Sequence, residues 1–311
     1  MEPPVNQFTR RTLLGSAALA GVGAKPSEAA RPNHQFRYCF NTSTIRGQNL
    51  PLVQELELIA RAGYSGVEPW LREIDQYVQG GGVLKDLTKR LRDLGLALES
   101  AIGFAEWIVD DEARRAKGLE TAKRDMDAVA QLGGKYFAAP PAGATDRADL
   151  SVIVIAERYH ALLELGAQMS VTPMLEVWGF SKSLTTLSAA AAVAVACGHR
   201  DACILGDVYH FHKGGSPAAG LLLLNGARIP AIHLNDYPAD PPRATITDAH
   251  RVLPGDGVAP MTEILRNLKT IGFRGALSLE LFNRDLWKLD PLSVASTGLE
   301  KMKAVVAKAE A

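Results

Sequence analysis

"ILGDVYHFHKGG", residues 204–215, is an apolar run that stops at a carboxylate, Asp207, with His210 and His212 following within five residues. The 311-residue chain has only seven histidines. Placing two of them just past an acidic strand end is more than local packing calls for. Three other segments end in a similar way: "MLEVW" carries Glu176, "AIHLND" carries His233 and "LSLELF" carries Glu280. In each, one polar group interrupts an apolar strand near its C-terminal end. Successive members lie 31, 26 and 47 residues apart, intervals compatible with about one strand–helix unit each.

The rest of the chain repeats that rhythm. Short apolar runs occur at 36–44, 64–70, 96–104, 135–141, 171–179, 202–210, 229–236 and 275–283. Between them lie segments of helical periodicity such as "LPLVQELELIARAG", whose Gly63 stands where a helix C-cap belongs. Eight strands alternating with helices predict an all-parallel sheet. Eight units over residues 31–311 predict a single-domain α/β fold, the (β/α)8 TIM barrel. The alternative is an open doubly wound sheet, whose dinucleotide-binding form is weakened because no G-x-G-x-x-G follows the first strand. Pro and Gly gather in "AAPPAGATD", "NDYPADPPR" and "LPGDGVAP", as expected for the loops of a barrel's active face. Residues 236–258 are long enough to act as a lid.

In a parallel barrel, equivalent positions on successive strands converge at one mouth. Glu176, Asp207, His233 and Glu280 should therefore surround a common point. A buried carboxylate is costly unless paired or bound to metal, and three together repel one another. One divalent ion relieves that repulsion. Three carboxylates and an imidazole suit Mn, Co, Zn or Mg, and no cysteine demands a softer metal. His210, three residues past Asp207, is a candidate substrate ligand, and His212 a weaker one. Arg251, in "DAHRVLPGDG", either holds a substrate oxygen or pairs with Asp248. Glu68 in "VEPW" and Glu99 in "LALES" end the second and third strands and are candidates for binding hydroxyls. Trp70, Trp107 and Trp178 lie near strand ends, where flat rings suit the face of a sugar or cyclitol, or ordinary packing.

The composition narrows the partners. Zero formal net charge gives no general attraction to nucleic acid, and three cysteines argue for free thiols over a disulfide framework. The N-terminus differs from the rest. Residues 1–30 contain Thr9-Arg10-Arg11-Thr12-Leu13-Leu14, then a weakly apolar run to Ala24. That run is shorter than the ~20 residues a bilayer span needs. The pattern predicts a twin-arginine-type signal segment, export to the periplasm, and no membrane span after cleavage. A small-molecule partner is expected, and homo-oligomerisation is left open.

The motifs "CFNTSTI", "AGYSGVEPW", "LEVWG", "DVYHFHKGG", "HLNDY", "HRVLPGDG" and "IGFRGALSLELF" together resemble the xylose isomerase-like TIM barrels, the sugar phosphate isomerase/epimerase family with its inosose isomerase branch. The resemblance covers nearly all of 36–311. It implies one divalent metal held by Glu176, Asp207, His233 and Glu280, with Glu176 and Glu280 also flanking the substrate as acid and base. It implies that His210, in the D-x-x-H motif, contacts substrate. The expected activity is isomerisation or epimerisation of a keto-sugar or an inosose-like keto-cyclitol through an enediolate. A lyase or dehydratase on an inosose or 3-keto-glycoside is the alternative. Two rivals stand outside that chemistry. A non-catalytic periplasmic sugar-binding protein does not need three converging carboxylates. A metal-dependent endonuclease on the same barrel needs a basic groove and a histidine-rich site.

Overall fold

The computed structural model describes Met1 and residues 36–311. The predicted signal segment, 1–30, lies outside the described residues apart from Met1. Residues 36–311 form one compact unit. Its eight parallel strands are β1 (Arg37–Asn41), β2 (Gly66–Glu68), β3 (Ala97–Leu98), β4 (Tyr136–Ala139), β5 (Thr172–Glu176), β6 (Ile204–Asp207), β7 (Ala231–Leu234) and β8 (Ala276–Leu279). Each falls inside one of the eight apolar runs. They pair in the order β3-β2-β1-β8-β7-β6-β5-β4. The barrel closes between the two ends of that order, where the Ala138 amide donates to the Ala101 carbonyl at 3.0 Å.

Helices cover the outside of the barrel: α1 (Leu52–Ala62), α2 (Leu71–Gln79), α3 (Leu84–Asp93), α4 (Glu112–Gln131), α5 (Val152–Met169), α6 (Leu187–Ala196), α7 (Val208–Gly214), α8 (Met261–Thr270) and α9 (Pro291–Glu310). α1 shows why they form. Leu52, Leu56 and Ile59 recur at helical spacing and are buried, while Glu57 and Arg61 are not. Burying each such Leu or Ile stabilises by about 1.5–3 kcal/mol. The helix stops at Gly63, whose φ of 94° is a left-handed conformation that closes the last turn onto Ala60 and Ile59. The sixth unit departs from the simple pattern. α7 is short, and a 3-10 turn at Ala218–Leu223 covers the wall in place of a full helix.

The strands' period of two sets the site's position. Met174, Leu205, Ala231 and Ala276 face into the barrel and pack as one small apolar cluster with Cys39 and Ala138. Their neighbours Leu175, Ile204, Ile232 and Leu277 point outward into the main core under the helices. Two residues beyond the inner layer come Glu176, Asp207, His233 and Ser278, on the same inward face. Register aligns three of them laterally, with Asp207 opposite His233 and His233 opposite Ser278, whereas Glu176 pairs with Leu205. The packed layer is a floor, and the polar layer sits on it.

The three cysteines are free and buried, as expected. The 236–258 segment is not a free lid. It pairs back on itself at Asp236 and Val252, its Arg251 is 1% exposed, and Lys213 Nζ holds the carbonyls of Arg243, Ala244 and Ile246.

Candidate metal and substrate site

His233 is the centre of the polar layer. Its Nε2 lies 3.0 Å from Glu68 Oε2. Its Nδ1 lies 3.0 Å from Glu280 Oε2, 3.5 Å from Asp207 Oδ2 and 3.9 Å from Glu176 Oε1. All four sequence-derived candidates therefore meet around one ring nitrogen. Asp207, His233 and Glu280 each offer a ligand atom within 4.8 Å of the others. Glu176 stands slightly apart on the fourth side.

The electrostatics match that crowding. Burial opposes a charge on His233, yet the Glu280 and Glu68 carboxylates hold its pKa well above the ordinary range. Burial pushes the Glu176 carboxyl up to about 8, against the pull of His233 and helped by Glu280. Burial works against ionising Asp207, but Arg251 keeps its carboxyl far below the usual range.

A divalent cation fits this donor set. Glu176 Oε2 is buried with no hydrogen-bond partner, an arrangement that native interiors avoid, and three carboxylates crowd the single His233 Nδ1. With the Nε2–H of His233 donated to Glu68, a bound ion would displace the Nδ1 proton and take a lone pair that faces Glu176, Asp207 and Glu280. Carboxylate–histidine pairs orient metal ligands in this way.

Arg251 forms the side of the site. Its Nη1 donates to Asp207 Oδ2 at 2.8 Å and to Glu280 Oε2 at 2.9 Å, and its Nη2 reaches Asp248 Oδ1 at 2.5 Å and His210 Nε2 at 3.1 Å. An arginine can only donate, so His210 Nε2 accepts. Burial lowers the His210 pKa, so the neutral ring carries its hydrogen on Nδ1, which has no partner. His210 thus keeps a free donor. Its position is set by Asp207, whose Oδ1 accepts the His210 amide and caps α7.

Three sequence expectations are corrected. Glu68 does not line the mouth. It is 1% exposed beneath His233, and its Oε2 also accepts from Asn41 Nδ2 and Ser278 Oγ. His212 points away from the site, because α7 turns it outward onto Tyr237, with ring centroids 3.9 Å apart. Glu99 likewise turns to the opposite end of the barrel and pairs with Arg37 at 2.8 Å. Trp70 and Trp178 line the cavity, whereas Trp107 is fully buried with its indole donating to the Pro140 carbonyl.

The sequence reading missed Asn41, whose Nδ2 donates to Glu68 at 2.9 Å and to Glu280 at 3.2 Å. Its signal was a polar residue ending the first apolar run, the same pattern used for the other four. It also missed Phe104, Phe180, Phe282 and Trp287, which line the cavity above Glu176, His210, Arg251 and Glu280. That cavity is about 310 Å³. A larger depression of about 560 Å³ involves α8 residues and Asp236, whose carboxylate already accepts the amides of Tyr237, Gly255 and Ala259.

Residues 56–305 match the family described as xylose isomerase-like TIM barrel. Inosose isomerase of Bacillus velezensis is 30% identical over 282 residues, covering 88% of this chain and 98% of that protein. A 3-dehydroshikimate dehydratase of Pseudomonas aeruginosa is 25% identical over 233 residues, covering 75% of this chain but 36% of that protein. Among solved structures, an IolI protein with a bound zinc atom superposes with a TM-score of 0.81 at 25% identity, covering 88% of this chain and 99% of its own.

Proposed function

The chain belongs to the xylose isomerase-like TIM barrel family, and on that premise we propose that it isomerises or epimerises a keto-sugar or inosose-like keto-cyclitol. It is an enzyme of the sugar and inosose isomerase or epimerase type. The observation that carries the reading is the meeting of Glu176, Asp207 and Glu280 around His233 Nδ1.

These four residues would hold one divalent ion, Mn, Co, Zn or Mg. Such an ion supplies Lewis acidity, acidifying the C–H beside a carbonyl and stabilising the enediolate. The residues of the chain do the rest. Glu176 and Glu280 flank the reacting carbons. One removes the C–H proton, and it or its partner returns it. Return to the former carbonyl carbon shifts the ketone, and return to the opposite face epimerises. His210 holds a substrate oxygen through Nδ1–H. Arg251 keeps Asp207 ionised, donates to Glu280 and positions His210. Glu68 orients His233 from below.

Similarity to dehydratases supports a second reading, in which a β-substituent leaves from the same enediolate. We also propose export by the twin-arginine-type segment, a reading that rests on Arg10, Arg11 and the weakly apolar run after them. Secretion of a reporter fused behind residues 1–30, lost when both arginines become lysine, checks it.

Metal content of the purified chain beside its Asp207→Ala variant tests the main proposal. One divalent ion per wild-type chain and none in the variant is expected. Incorporation of solvent deuterium into a keto-inositol or ketose, abolished in Glu176→Gln, is the second expectation. A chain that takes up no ion from manganese, cobalt or zinc sinks the mechanism, as does a Glu176→Gln variant keeping more than about a tenth of the rate.

A further inference from the structure

Asn235 follows directly on β7, two residues past His233, and is fully buried. Both ends of its side-chain amide are engaged. Oδ1 accepts the Tyr209 backbone N–H at 2.9 Å, in the first turn of α7. Nδ2 donates to the Asp207 carboxylate, 3.3 Å from Oδ1 and 3.3 Å from Oδ2. Hydrogen-bond chemistry fixes this orientation of the amide. A backbone N–H can only donate and an ionised carboxylate can only accept, so the carbonyl end must face Tyr209 and the NH2 end must face Asp207. Tyr209 closes the circuit, because its ring faces the Arg251 guanidinium at 4.6 Å and Arg251 in turn holds Asp207.

Capping of α7 explains only half of this arrangement. Asp, Ser or Thr accepts a first-turn amide about as well as Asn. None of them carries an acceptor and a strong donor on two separate atoms, as this position uses. The other half falls on Asp207, one of three residues whose ligand atoms lie within 4.8 Å of one another. The torsion that turns an aspartate carboxylate is soft, with a broad twofold well. Its other donors pull the two oxygens apart. The His210 amide holds Oδ1 at 2.9 Å and Arg251 Nη1 holds Oδ2 at 2.8 Å. Oδ2 is also the oxygen 3.5 Å from His233 Nδ1. A donor shared by both oxygens fixes the carboxylate between those pulls. Asn235 does not line the cavity, so it acts through Asp207 and not on substrate.

We propose that Asn235 is a positioning residue for the ion site. It holds the Asp207 carboxylate in the direction an ion needs and, through the Tyr209 amide, ties that carboxylate to the helix start that carries His210. The inference rests on the metal-dependent reading of the site and adds to it a residue outside the ligand set.

Cobalt is titrated into the purified chain against a chelating dye, and the visible bands of the bound cobalt report its ligand set. Asn235→Ala removes both contacts, and Asn235→Leu removes them at nearly constant volume. Tyr159→Phe controls for general destabilisation, because the Tyr159 hydroxyl holds the Pro173 and Cys203 carbonyls at 2.9 and 3.0 Å, at the starts of β5 and β6. Both Asn235 variants should bind cobalt about 10–100-fold more weakly and shift its bands. Tyr159→Phe should lower the Tm while leaving affinity and bands as in the wild type. Wild-type affinity with unchanged bands in the Asn235 variants overturns the positioning role, and so does equal weakening in Tyr159→Phe. A wild type that takes up no cobalt overturns this role and the metal-dependent reading together. Weakened binding in the Asn235 variants of a chain that exchanges no substrate deuterium keeps the positioning role and removes the reaction.

Discussion

His233 and Glu68 form a buried pair, Nε2 to Oε2 at 3.0 Å, with both side chains at 1% exposure or less. The pair turns Nδ1 towards Glu176, Asp207 and Glu280. Glu68→Gln keeps the shape and removes the anionic acceptor. Divalent metal affinity should fall about 10–100-fold, the usual effect of losing such an outer partner. Competition with a chelating dye measures it, and thermal unfolding of the metal-free protein controls for misfolding. An affinity within twofold of the wild type would rule out the orienting role.

Arg251 bridges Asp207 and Glu280 and also holds His210. Removing it leaves the buried Asp207 and Glu280 with His233 as the remaining cation between them. Arg251→Ala should therefore destabilise the metal-free chain by about 3–5 kcal/mol, as for other broken buried pairs. A divalent ion supplies the missing positive charge, so added manganese or zinc should raise the variant's Tm by more than it raises that of the wild type. Calorimetric scans with and without metal decide it. Equal metal-induced increments would mean that Arg251 and the ion do not share the same carboxylates.

The loop bearing Trp178 and Phe180 touches α7 through two glycines. A Cβ at Gly179 would sit 2.5 Å from the His210 carbonyl oxygen and 2.6 Å from the Gly214 nitrogen, both backbone atoms. Gly179→Ala must push the aromatic wall away from the helix that carries His210. The overpacking should cost about 1–3 kcal/mol. The displacement should lower kcat/KM at least tenfold. Wild-type activity and Tm in this variant would show that the close approach has no functional consequence.

The sequence made the barrel legible because each strand is a short apolar run and each helix repeats with its own period. The four donors were legible because a polar residue inside such a run is costly to bury unless it binds something. Glu68 and His212 were misplaced for a reason that pattern cannot reach. The position of Glu68 depends on where β2 ends relative to β1, set by the Asn41–Glu68 register. The direction of His212 depends on α7 beginning at once after Asp207. The aromatic wall was half-seen. Trp70 and Trp178 stood at strand ends, but Phe104, Phe180 and Phe282 are ordinary apolar residues until the loops after β3, β5 and β8 bring them together. The lid reading failed because nothing in residues 236–258 announces that Lys213 will bind three of its carbonyls.

Glu55 gives the fold a pH dependence separate from the site. It lies on α1, 3% exposed, with Oε2 lacking a partner. Burial, reinforced by Glu73, pushes its carboxyl up to about 9 from 4.5, against Arg72 and Arg46. The folded state therefore holds a proton that the unfolded chain releases. Below pH 4.5 both states are protonated and Glu55 contributes its full stability. As pH rises from 4.5 towards 9 only the unfolded chain gives up the proton, so stability falls, and above about 9 both are ionised and the decline ends. At pH 8 the loss should be on the order of 2 kcal/mol or more. Glu55→Gln cannot ionise, so its Tm at pH 8 should exceed the wild type's by several degrees, with the two converging towards pH 5. Denaturant melts at pH 5, 6.5 and 8 give the comparison. Parallel declines in the two proteins would assign the pH dependence to other groups.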